Sequence, residues 1–106
     1  MRIATITSKR LLIVKNSTNR LSQDVTITND LGLHARSAAR IAALTQDVKS
    51  RIWLIKDGEK ADASSIIDIL TLACPKGSKI TIKIEDKSDI KILNNIVQLI
   101  GKGFGE

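Results

Sequence analysis

Polar and apolar positions alternate along this chain with two different periods. Val25 and Ile27 alternate with Thr26 and Thr28, which predicts a half-buried strand. Asn29-Asp30-Leu31-Gly32 predicts a turn or loop. The period then lengthens. Ala38, Ile41, Ala42 and Thr45 fall at helical spacing in an alanine-rich stretch, predicting a helix from Ala35 to about Leu44 with His34 at its entrance. Arg51 to Lys56 predicts a second strand, with Ile52 and Leu54 on its inner face and Trp53 and Ile55 on the other. Asp57-Gly58 is a hairpin signal, and a short third strand follows over about Glu59–Asp62. Ser65-x-x-Asp68 has the form of a capping box with Asp at its last position, so a short helix is expected to start at Ser65. Pro75, Lys76 and Gly77 close that region. Ile80, Ile82 and Ile84 alternate with Thr81, Lys83 and Glu85 as a fourth strand. Ser88 is expected to cap a last helix in which Leu93, Ile96, Val97 and Ile100 share a face, ended by Gly101 and Gly103.

The order is βαββαβα. Alternating strands leave one sheet face buried and one open. The expected class is therefore α+β: an open-faced β-sandwich, a four-stranded antiparallel sheet with three helices on one face.

Charge divides the chain in two. Of the 17 basic residues, Arg2, Lys9, Arg10, Lys15 and Arg20 lie in residues 1–23, which hold no acid. All 11 acidic residues lie in 24–106, whose balance is close to neutral. The expected organisation is a basic N-terminal extension, 1–23, and one domain, 24–106. A net charge of +6 raises the possibility of a nucleic-acid partner. Its confinement to the extension argues against one, as does an aromatic content of only Trp53 and Phe104. No apolar run approaches the roughly 18 residues of a membrane-spanning helix, so no membrane insertion is expected. Leu11–Val14 is too short for the apolar core of a secretory signal. The single cysteine, Cys74, excludes an intramolecular disulfide, and a cytoplasmic location is the default. Cys74 itself reads as a small buried apolar residue.

His34 is the only histidine. It precedes a helix whose first backbone N–H groups lack intrahelical partners. These N–H groups and the helix dipole attract an anion such as phosphate and favour a neutral, nucleophilic imidazole. Arg36 can donate charge-assisted hydrogen bonds to phosphate oxygens. Taken by itself, this pattern is equally compatible with an idle surface histidine. A metal site is disfavoured by the absence of a second histidine, and nothing marks an activated serine.

Gly32-Leu33-His34-Ala35-Arg36-Ser37-Ala38 resembles Gly-Leu-His-Ala-Arg-Pro-Ala, the signature of the HPr family of phosphocarriers in the bacterial phosphotransferase system. The resemblance runs from about Asp24 onward. It includes Ala63-x-Ser65-Ile66-Ile67, the Lys76-Gly77 turn and the element order. It implies a carrier rather than an enzyme, with no cofactor. His34 would accept a phosphoryl group from phospho-Enzyme I and pass it to a histidine of a IIA-type acceptor, for sugar transport or a nitrogen-linked regulatory branch. Arg36 matches the arginine that steadies the phosphoryl group, and Ala35 and Ser37 are expected to bind the phosphate. Ser37 replaces the family proline and would add an N–H and a hydroxyl near the phosphate.

By the same resemblance, Ser65 matches a serine phosphorylated by HPr kinase in some members, although serine is also a good helix cap. Ile66, Ile67 and Leu70 match the family's apolar docking patch. Ile69 and Leu72 are expected to be buried, with Ile67 and Leu70 partly exposed beside His34. The alternative function is an HPr-like regulatory binding protein that no longer moves phosphate. Residues 1–23 exceed the family body. Trp53 and Ile55 are expected to form an apolar patch on the open sheet face, which the extension could cover.

Overall fold

The computed structural model describes residues 21–106. Its elements are β1 (Ser22–Thr26), α1 (Ala35–Leu44), β2 (Ile52–Lys56), β3 (Glu59–Asp62), α2 (Ile66–Thr71), β4 (Lys79–Ile84) and α3 (Ile90–Gly101). Short 3₁₀ turns stand before and after α3, at Lys87–Asp89 and Gly103–Gly105. The expected βαββαβα order is present. The proposed extension lies outside the described residues as far as position 20.

The four strands form one antiparallel sheet in the order β1-β4-β2-β3. Register explains the alternation. Ile52 faces Ile84, Leu54 faces both Ile82 and Ala61, and Ile80 faces Val25. Partners opposite one another share a face, so one sheet side is almost wholly aliphatic. The helices lie on that side: α3 over β1 and β4, α2 against β3, and α1 beside both other helices. Ile41, Ile69, Leu93, Ile96 and Ile100 complete the core with Ile27 and Phe104. Leu72 and Cys74 are also buried, and burial pushes the Cys74 thiol up.

Two expectations are corrected. Ser88 does not cap α3. Asp86 caps the 3₁₀ turn by accepting from the Ser88 N–H, and the Ser88 hydroxyl donates back to the same carboxylate. Asp89 stands at the α3 entrance without capping it. Its buried carboxylate instead accepts from the backbone N–H groups of Lys49 and Ser50, at 2.8 and 3.1 Å. A buried charge needs such partners, and these N–H groups pin the loop before β2.

The second correction concerns the open face. Trp53 and Ile55 do point there, but both are half-buried. The Trp53 indole N–H donates to Glu85, and the Lys60 ammonium lies 4.4 Å from the ring centroid. Flexible charged side chains drape the ring, because their stems can cover apolar surface while their heads stay in water.

Candidate functional site

The site begins with a turn. After β1, the Gly32 N–H donates to the Asn29 carbonyl across Asn29–Gly32. Gly32 takes a φ of +67°, and a Cβ there would sit 2.4 Å from the Cys74 carbonyl oxygen. Only glycine meets both the dihedral and the close approach. The Leu33 N–H then donates to that same carbonyl at 2.8 Å, and the Leu33 side chain is buried. The loop before α1 is thus fastened to the loop before β4, and His34 is delivered at a fixed place.

His34 is the N-cap of α1, with extended backbone. Its Nδ1 accepts from the Arg36 backbone N–H at 3.3 Å. Its Nε2 lies 2.6 Å from Glu106 Oε2. A carboxylate only accepts, so Nε2 carries the ring proton and Nδ1 keeps its lone pair. The more loosely held nitrogen is the one facing the helix N-terminus. No acidic residue occupies the first turn of α1 to cancel its dipole.

Ser37 is fully buried, and its hydroxyl does not reach outward. It accepts from the His34 N–H at 2.9 Å and approaches the His34 carbonyl at 3.1 Å as a donor. The expectation that this hydroxyl adds a group near a phosphate is therefore corrected: it secures the helix start. What Ser37 can offer an anion is its backbone N–H. Ala35 and Arg36 are both exposed.

Sequence reasoning did not find Glu106 or Asn29. Glu106 reaches His34 because the chain after α3 reverses through Gly103, Phe104 and Gly105, all with positive φ. Phe104 is buried, and Arg40 donates to its carbonyl. An aromatic side chain in the core thus anchors the turn that carries Glu106. Asn29 is buried too. Its Nδ2 donates to the Gly32 carbonyl at 2.8 Å and to Glu106 Oε1 at 3.0 Å. The Asn29 amide and the His34 ring, with a smaller contribution from the charge of Arg36, hold the Glu106 carboxyl below the usual carboxylate range. The one available signal was a lone phenylalanine between two glycines.

At the start of α2, the Ser65 hydroxyl accepts from the Asp68 N–H at 3.2 Å, as a cap. Ile67 is 71% exposed and Ile66 37%, while Leu70 is half-buried and Ile69 fully buried. Among the described residues, no three of His, Cys, Asp and Glu cluster as metal ligands. None of the described helices is long and apolar enough to cross a membrane.

The family model described as PTS HPr component phosphorylation site matches residues 21–102. The chain belongs to the HPr family. The phosphocarrier protein HPr of Cupriavidus necator is 34% identical over 86 residues, covering 81% of this chain and 97% of that one. The phosphocarrier protein NPr of Escherichia coli is 34% identical over 87 residues, covering 81% and 97%. Among solved structures, HPr from Thermoanaerobacter tengcongensis superposes with a TM-score of 0.75 at 33% identity, covering 80% and 96%. The four-stranded open sheet with three helices is thus the HPr fold, and the chain is a phosphocarrier of a phosphotransferase system rather than an enzyme.

Proposed function

We propose that His34 Nδ1 is the atom that carries the phosphoryl group, taken from phospho-Enzyme I and passed to a histidine of a IIA-type acceptor in the cytoplasm. The observation that carries this reading is the contrast between the two ring nitrogens: Nε2 is engaged by a carboxylate at 2.6 Å, while Nδ1 faces the α1 N-terminus through one long contact.

The Nδ1 lone pair forms the new N–P bond. The donor's N–P bond breaks, and its electron pair returns to the donor's imidazole. Nε2 keeps its proton, so the His34 ring gains positive charge as the bond forms, and Glu106 stabilises it. The Arg36 N–H turns from Nδ1 to a phosphate oxygen, joined by the backbone N–H groups of the first turn and by the Arg36 guanidinium. A carrier must give the group up again, so these contacts hold the phosphate without burying it.

The exposed Ile66 and Ile67, with the half-buried Leu70, form the apolar patch on which Enzyme I and the acceptor dock. Relatives named HPr and NPr match at the same 34% identity, so both the sugar and the nitrogen branch offer acceptors to test.

The test is incubation with Enzyme I and labelled phosphoenolpyruvate, then with IIA-type acceptors from each branch. Acid-labile label on His34 that moves to an acceptor is expected. Absence of label would favour the binding protein without phosphotransfer.

A further inference from the structure

We infer that Asn29 and Glu106 together determine which nitrogen of His34 is phosphorylated, with Asn29 as a positioning residue that acts through the Glu106 carboxylate. The inference rests on the carrier reading of His34.

One carboxylate is divided between two partners. Glu106 Oε2 meets His34 Nε2, and Oε1 accepts from Asn29 Nδ2. Glu106 is an exposed residue on a flexible side chain. Left alone it would sample several rotamers, and Nε2 would be open to an electrophile. The Asn29 amide is the group that ends this freedom. It is itself immobile: 5% exposed, and fixed by its second bond to the Gly32 carbonyl.

The orientation of the amide is decided by charge. Both its neighbours on that side, the Gly32 carbonyl and the Glu106 carboxylate, are acceptors, so the NH₂ must face them. The opposite end, Asn29 Oδ1, is buried with no hydrogen-bond partner among the described residues. What the amide adds is a donor aimed at the carboxylate that covers Nε2. The turn through Phe104 brings Glu106 within reach, and Asn29 sets its final position.

Phosphoramidate tests this without any protein partner. Its N–P bond breaks, a ring nitrogen of His34 forms the new N–P bond, and ammonia leaves. Because His34 is the only histidine, NMR of the ¹⁵N-labelled adduct reads which ring nitrogen bears phosphorus. The native chain is expected to give the Nδ1 adduct alone. Glu106→Ala is expected to give a mixture with Nε2, losing a bias of roughly ten- to a hundredfold, the range for one hydrogen bond to a charged group. Asn29→Ala is expected to give a similar mixture. Combining the two should change nothing beyond Glu106→Ala, because both remove one interaction. A purely structural role for Asn29 predicts instead a slower reaction, still at Nδ1.

Exclusive Nδ1 labelling in Glu106→Ala overturns the inference, and so does unchanged regiochemistry in a folded Asn29→Ala. Glu106→Ala, at an exposed position, decides the masking even if Asn29→Ala does not fold. A native chain that takes no phosphate overturns the carrier reading as well, and is seen before any variant is compared.

Discussion

Two helices of this protein begin in nearly the same way, and only one beginning has the surroundings on which the proposed phosphoryl site rests. At α1, His34 accepts from a backbone N–H of the first turn; at α2, Ser65 does the same. Both caps carry a nucleophilic atom at the positive end of a helix. The difference lies in what surrounds them. The first turn of α1 has no acid and carries Arg36, and Glu106 supports the far side of the ring. The first turn of α2 contains Asp68, and α2 has six residues against ten in α1. A phosphate on Ser65 would meet a carboxylate, whereas a phosphate on His34 would meet a guanidinium. Capping is common to both; the charges one turn away and the group behind the cap are what distinguish the two.

The largest effect that could break this comparison is His34→Ala. It should abolish acid-labile phosphate while Ser65→Ala leaves it intact, read by labelling and an acid-stability assay. Residual acid-labile label in the His34 variant would remove the distinction. Gly32→Ala comes next. A positive φ and a 2.4 Å approach to a carbonyl oxygen stand against a methyl group there. A residue held in such a conformation costs about 1–3 kcal/mol, and the clash adds to it. Urea unfolding should report that loss, with a fall in phosphate acceptance because His34 is displaced. A stability equal to the native chain would mean that the turn does not hold His34 in place.

Arg36→Ala sharpens the charge argument. One charge-assisted hydrogen bond is worth roughly 1.5–3 kcal/mol, so transfer should slow about ten- to a hundredfold. Stability should stay within about 0.5 kcal/mol, since the residue is exposed. Rapid-quench kinetics that match the native chain would take Arg36 out of the site. Ser65→Ala is smaller still. Loss of a serine cap should lower stability by about 1 kcal/mol with transfer to His34 unchanged.

The finest test is a titration. The Glu106 carboxyl is held below its ordinary 4.5 by Asn29 and His34. The stability that these contacts contribute is present above that ordinary value and is lost as pH falls through the lowered one. A carboxyl-carbon NMR titration should give a midpoint below 4.5 in the native chain, rising toward 4.5 in Asn29→Ala. Identical midpoints would mean that the amide does not hold the carboxylate.

Much of this protein could be read along the chain. Helix α1 from Ala35 to Leu44, the strand pair around Asp57-Gly58, and the buried Ile52, Leu54, Ile80, Ile82 and Ile84 follow from local periodicity. Period depends only on neighbours a few positions away, and burial of one face is what gives it meaning. The placement of His34 and Arg36 was legible for the same reason: both sit within one turn of a helix start that the alanine-rich stretch announces. The start of α3 was misplaced because Asp86, Ser88 and Asp89 can all cap, and only the packed loop at Lys49–Ser50 claims the Asp89 carboxylate.

The other half of the site was decided by the fold. Glu106 lies 72 positions from His34 and Asn29 lies 77 from Glu106, distances over which no periodic pattern carries information. Their meeting requires three steps: α3 must pack, Phe104 must enter the core, and the chain must reverse through residues of positive φ. Ser37 turned inward for a similar reason, because its hydroxyl found the His34 backbone before it could meet a ligand. Local sequence set which side chain could react. The tertiary structure chose which of its two nitrogens is left open, because only a folded chain can place a distant carboxylate against the other.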